Sequence, residues 1–262
     1  MDNLKIVFPE KTEEERVQIA REFFKNFVDN FIETLKLFSG KGRFAQKHLS
    51  IDVSLMEEMY RKGNRCQFHL GHNFNWELAN LGVSGQTSYP LLFVYMPIQN
   101  KVFDRIFYKL RSSTGNIMLA ATEMKSAMIP YRNTQYLLGL VADQVPGDVS
   151  RAYWLNFFGR PTPFVRGPER GAMAGNLAVL FAQIYKTGRG QYHLEYELCT
   201  ENAAELPVGE ITRLYARYLE RVIHEHPEMW LWSHRRWKKE WKEEYSELWK
   251  DNQPYPSEVS TK

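Results

Sequence analysis

Cysteine is nearly absent from this chain: there are two in 262 residues, Cys66 and Cys199, far apart and without paired spacing. That argues against a disulfide framework and a cysteine zinc cluster, and it makes a reducing cytosolic setting the default expectation. No apolar run approaches the roughly 20 residues that a membrane-spanning helix needs. The first ten residues hold only a short apolar patch, Ile6 to Pro9, before the sequence turns strongly charged, so no signal peptide is expected. Internal repeats and low-complexity linkers are missing as well. A formal charge of +3 is too small to imply nucleic acid by itself, although basic and aromatic residues crowd the last third. If the protein works at a membrane, these absences leave it working from the surface.

What is present is core-forming material, 44% hydrophobic and 14% aromatic, enough for one large domain. Thr12 and Glu15 form a capping-box pattern ahead of Val17, Ala20, Phe24, Phe27, Val28, Phe31 and Leu35 at helical spacing, which predicts an amphipathic helix over 12–38. Its aromatic face suits either the domain's sheet or a lipid surface. Ser54 to Arg61 reads as a short helix. Strand signals recur at Cys66 to Leu70, Leu91 to Met96, Ile117 to Ala120 and Leu137 to Ala142, separated by helical stretches at Lys101 to Arg111 and Glu123 to Met128. Ala174 to Tyr185 reads as helical, Tyr192 to Leu198 as a late strand, 207–251 as a helical region and 253–262 as a polar tail. The fold expected is therefore α/β, a mixed and largely parallel central sheet flanked by helices, as one domain over 1–252 with amphipathic helices at both ends.

The segment Cys66-Gln67-Phe68-His69-Leu70-Gly71-His72-Asn73-Phe74-Asn75-Trp76-Glu77 concentrates the chemistry. A buried strand leaves through Gly71, and a helix begins near Asn75, which puts His72 in the turn. On one continuous helix, positions five apart diverge by about 140°. With His72 still in the turn, Glu77 can reach back to one imidazole nitrogen and leave the other free to accept a proton. The spacing alone recurs by chance in chains of this length, and a capping histidine beside a surface glutamate is the plain structural alternative. His69 lies within the strand and reads as a core histidine; His69 and His72 have no third ligand at a familiar zinc spacing. Cys66 reads as core.

Further blocks stand in order: Phe8-Pro9-Glu10-Lys11, Asn100-Lys101-Val102-Phe103-Asp104-Arg105, Ala142-Asp143-Gln144, Phe158-Gly159-Arg160 and Trp232-Ser233-His234-Arg235-Arg236-Trp237-Lys238. Together with the His72 segment they resemble the late acyltransferases of lipid A biosynthesis, within the lysophospholipid acyltransferase superfamily, over nearly the whole chain. The resemblance implies a glycerolipid-acyltransferase-like fold and an O-acyltransferase. It would move a fatty acyl chain from an acyl thioester, carried by acyl carrier protein or coenzyme A, to a hydroxyl of a glycolipid precursor of lipid A. It also implies the cytoplasmic face of the inner membrane, and no metal or organic cofactor. The family's histidine and acidic residue map onto His72 and Glu77, its basic residue onto Arg105 and its aspartate onto Asp143. Members usually begin with an additional hydrophobic anchor, so this chain is expected to be a truncated form or a peripheral one.

On this reading neutral His72 takes the acceptor's proton and Glu77 steadies the imidazolium. Asn75, Asp143 and Gln144 form the site wall. Arg105, Arg160, Arg166 and Arg170 are candidates to hold phosphate, each with a plain surface role as the alternative, and for Arg105 a local pair with Asp104. The tryptophans from Trp230 to Trp249, interleaved with cations, suit either a helix clamped to the domain or an interfacial helix. Two other functions keep the same residues in view: acyl transfer to a different glycolipid or a lysophospholipid, and a non-catalytic basic protein that binds membrane or nucleic acid through its C-terminal region.

Overall fold

A computed structural model describes residues 1–255; of the expected polar tail, 256–262 lie outside the described residues. The chain runs α1 (Asp2–Val7), α2 (Glu13–His48), β1 (Leu49–Ile51), α3 (Ser54–Arg61), β2 (Cys66–Leu70), α4 (Trp76–Val83), β3 (Leu91–Tyr95), α5 (Lys101–Arg111), β4 (Ile117–Ala120), α6 (Met124–Ala127) and β5 (Leu137–Val141). It continues with β6 (Ala152–Phe157), β7 (Arg160–Val165), α7 (Gly167–Gly175), β8 (Ala178–Gly188), β9 (Gln191–Thr200) and α8 (Glu210–Glu225). Seven strands form one sheet in the order β1-β9-β8-β2-β5-β3-β4, and every pairing is parallel except the β8–β9 hairpin. β6 and β7 form a separate antiparallel hairpin.

The centre of the sheet is apolar because both faces are covered: helices occupy them, and Leu92, Leu137, Leu138, Val179 and Leu180 are all buried. Gly139 in β5 allows the close packing of a neighbour, since a Cβ there would stand 2.5 Å from the Phe93 ring. The α/β expectation holds, and the predicted bounds of α3, β2, α5 and β4 coincide with the observed ones.

Three expectations need correction. The stretch from Ala174 to Tyr185 is not a helix; α7 ends where Asn176 turns left-handed, and Ala178–Gly188 is the longest strand of the sheet. A continuously apolar run does not distinguish a strand buried on both faces from a buried helix, and here sheet pairing decides. Secondly, α2 extends to His48, past the expected end at residue 38, although Lys41 breaks its regular dihedrals with φ 47°.

Thirdly, the region 207–251 is helical only over Glu210–Glu225, followed by 3-10 turns at Pro227–Met229 and Glu243–Leu248. Pro227 lacks the N–H that would continue α8. The aromatic residues beyond it pack on the β6–β7 hairpin: Trp154 stacks on Tyr245 (5.2 Å between centroids) and meets Trp241 edge-on (5.3 Å). Among the described residues there is accordingly no α-helix beyond Glu225 to lie in an interface. The whole segment is a strap laid across the domain.

Candidate active site

Strand register brings the site together. In the β2–β5 ladder Leu70 pairs with Val141, so the residues two places beyond, His72 and Asp143, emerge side by side at the carboxyl ends of adjacent parallel strands. The Ala142 N–H donates to the Leu70 carbonyl (3.1 Å) and keeps the two exits together past the last ladder pair. The His72 N–H donates to Asp143 Oδ2 (2.9 Å), and the imidazole Nδ1 bonds Asp143 Oδ1. Glu77 is therefore not the carboxylate that meets the imidazole. Its two oxygens receive Arg111 of α5, with Nε–O separations of 3.0 and 3.1 Å, a fork-on-carboxylate pair across two helices. The physical reason is reach: once α4 has begun at Trp76, Glu77 turns toward α5, while the Asp143 backbone already lies alongside His72.

Asp143 is 2% exposed, and burial alone would raise its pKa. Attraction to His72 and the hydrogen bonds from His72 and Trp230 outweigh burial and hold it at about 2. An ionised Asp143 makes Nδ1 the protonated nitrogen and leaves Nε2 with its lone pair, to which the Gln144 amide donates at 3.1 Å. The Trp230 indole N–H donates to Asp143 Oδ2 (2.7 Å).

The C-terminal strap locks this arrangement from above. Asn73 forms a β-bridge with Trp230, the Phe74 N–H donates to the Met229 carbonyl (3.1 Å), and the Val145 N–H donates to His234 Nε2 (3.2 Å). Arg236 is fully buried with its guanidinium over the Phe164 ring (4.4 Å), and one nitrogen donates to the Pro163 carbonyl (2.9 Å). Burial lowers its pKa to about 10 against the opposing pull of Asp143.

The remaining predicted residues are scattered. Asn75 caps α4, its Oδ1 accepting from the Leu78 N–H (3.1 Å) while its amide donates to buried Glu33 (3.0 Å), so both polar ends are engaged within the protein. Arg105 is exposed on α5, and Asp104 accepts from the Ile98 N–H (2.8 Å). Arg160 and Arg170 are exposed and Arg166 is half-buried at the start of α7. Among the described residues none of the four arginines hydrogen-bonds to the His72 cluster.

His69 is a core residue, bonded to Gln67 (3.0 Å) and pushed down to about 3 by burial. Burial raises the Cys66 thiol to about 11, which leaves it a poor nucleophile. Among the described residues no group of three or more His, Cys, Asp or Glu side chains is arranged to hold a metal ion.

Two residues of the site escaped the sequence reading, Arg111 and Trp230. A cation beside Lys109 in the last turn of a helix reads as an ordinary C-terminal charge, and Trp230 is hidden among other tryptophans. Among the described residues no helix is long and apolar enough to cross a membrane. A family model described as bacterial lipid A biosynthesis acyltransferase matches residues 1–239, a span that includes every residue of the His72 cluster and the strap as far as Lys239. No curated protein matches the chain.

Proposed function

Because this chain belongs to the bacterial lipid A biosynthesis acyltransferase family and is thereby an O-acyltransferase, we propose that it transfers a fatty acyl chain from acyl carrier protein to a hydroxyl of a lipid A precursor, with His72 as general base. The single observation that carries this reading is the hydrogen-bonded series Asp143, His72, Gln144 at the ends of adjacent strands. Asp143 holds the tautomer in which Nε2 is the base and stabilises the imidazolium once it forms. The acceptor hydroxyl takes the place next to Nε2 that the Gln144 amide occupies, loses its proton to Nε2, and its oxygen attacks the thioester carbonyl. The C–S bond then breaks, and the imidazolium returns its proton to the departing thiolate. Base catalysis of this kind contributes about 10²- to 10⁴-fold.

No acyl-enzyme is required, since the thioester is already activated and the nearby cysteine is buried. Glu77 lies on the same helical turn as Trp76, whose ring packs against the imidazole at 5.6 Å, and pairs with Arg111 at the end of α5. Their role is to hold the first turn of α4 against α5. Arg105, Arg160, Arg166 and Arg170 remain candidates for the phosphates of the acceptor or of the carrier's prosthetic arm, at the cytoplasmic face of the inner membrane.

Mass spectrometry of a lipid A precursor incubated with acyl-carrier-protein thioester tests the reading. The wild-type protein is expected to add one acyl chain and His72→Ala to add essentially none within the same time. A folded wild-type protein that acylates only some other glycolipid, or only from coenzyme A, would overturn the acceptor or donor assignment respectively.

A further inference from the structure

Apolar side chains on a soluble surface are ordinary when scattered, and informative when they line up on one face. On α2, Phe24, Val28, Phe31 and Leu35 recur at helical spacing on the outside, with Phe24, Phe31 and Leu35 respectively 62%, 58% and 71% exposed. α5 lies beside it through Phe38 and Phe107 (5.9 Å) and exposes Val102, Phe103 and Ile106. Both helices face their partners correctly with other residues: Phe23, Glu33 and Leu37 of α2 and Leu110 of α5 are buried. The outer face is thus surplus to the fold.

The charges around this face are one-sided. Along residues 21–36 of α2 and along α5 the acids are engaged: Glu22 pairs with Lys25, Asp29 with Lys186, Glu33 is buried against Tyr192 (2.7 Å), and Asp104 accepts from the Ile98 N–H. Arg21, Lys36, Lys101, Arg105 and Lys109 are exposed, and none forms an ion pair among the described residues. Lys101, Arg105 and Lys109 follow one another at four-residue steps along α5. Beneath the face, ring contacts lead through buried Phe74 to the site. Aromatic contacts run from His72 to Trp76 (5.6 Å), Phe74 (5.9 Å), Phe27 (5.9 Å) and Phe31 (5.0 Å).

We propose that the exposed face shared by α2 and α5 is the surface by which the protein seats on an anionic lipid bilayer, its apolar side chains entering the acyl region and its cations meeting the headgroups. The docking rests on this face alone; only its placement beside the catalytic centre rests on the acyl-transfer reading. An apolar face edged by unpaired cations, with the neighbouring acids paired or buried, is the pattern that partitions into a negatively charged interface.

Sedimentation of the full-length chain with vesicles tests the proposal, comparing phosphatidylcholine alone with phosphatidylcholine mixed with phosphatidylglycerol. The wild type is expected to bind the mixed vesicles and to be released by salt. Phe31→Glu/Leu35→Glu is expected to weaken binding about tenfold or more per side chain, and Lys101→Gln/Lys109→Gln about fivefold per cation, on the anionic vesicles only. All four positions are exposed, and unchanged melting by circular dichroism verifies folding.

In the Phe31→Glu/Leu35→Glu variant, transfer to a precursor embedded in vesicles should fall while transfer to the same precursor in detergent micelles is retained. Wild-type binding by the variant overturns the proposal. So does a lipid-free dimer, seen by sedimentation velocity, that the variant dissociates. Vesicle binding through this face by a protein that acylates neither preparation would overturn the proposed reaction and leave the docking surface standing.

Discussion

Asp143 carries a negative charge where water does not reach it, and three donors from two directions make that tolerable: the ring and backbone of His72 on one side, the indole of Trp230 on the other. Asp143→Asn keeps the shape and removes the charge that selects the tautomer, and kcat is expected to fall by about 10²-fold or more. Trp230→Phe keeps an aromatic ring and removes the N–H together with part of the buried indole. Losing one hydrogen bond to a charged acceptor costs about 1.5–3 kcal/mol, so a decrease in kcat of about 10- to 100-fold is expected, with KM little changed. Steady-state kinetics of both variants check these values.

The same carboxylate makes stability depend on pH. Its folded pKa, about 2, lies below the ordinary 3.8, so its contribution is fully present above pH 4 and is lost as pH falls through 2. The stability gap between wild type and Asp143→Asn, from urea unfolding, should shrink by about 2 kcal/mol between neutral pH and pH 2. His72, Asp143 and Gln144 were each legible in the sequence as residues at strand exits. Which carboxylate meets the imidazole was not, because that depends on Leu70 lying opposite Val141, a register that no local pattern encodes.

At the scale of elements, α8 begins without a side-chain cap of its own and is instead capped from α7. Buried Glu169 accepts from the Gly209 N–H and from both the N–H (2.8 Å) and the hydroxyl of Thr212. Glu169→Ala strands these donors in the interior and is expected to destabilise the protein by about 1–3 kcal/mol, measured by urea denaturation, with activity retained where the protein stays folded. The helix matters to the site because the Tyr215 hydroxyl donates to the Leu70 carbonyl (2.5 Å) at the exit of β2. Elements with a clear period or punctuation were read with correct bounds, as α3 and α5 show. β8 was misread because Ala178 to Ile184 are buried without interruption and so show no alternation. The β6–β7 hairpin was missed altogether, since Pro161 and Pro163 speak against a strand and are accommodated only because the hairpin has just two strands.

Across the whole molecule, side-chain pairs join layers that the backbone leaves separate. Glu77 and Arg111 couple α4 to α5, and Glu77→Ala leaves a largely buried guanidinium uncompensated. A loss of about 3 kcal/mol is expected, the lower end for a buried pair broken on one side, because Arg111 keeps some access to solvent. Replacing both residues by leucine should recover most of it, which paired urea titrations would show.

The strap has a broader consequence. It crosses the two loops that carry His72 and Asp143 through Met229, Trp230 and His234, far along the chain from the strands it secures. Synthesis proceeds from the N-terminus at about 5–20 residues per second, so the segments carrying His72 and Asp143 leave the ribosome well before the strap exists. A nascent chain in that interval holds His72 and Asp143 but neither the indole donor nor the bridge that seats Asn73. On the proposed mechanism, catalytic competence is thus acquired only once the strap has been made and laid down.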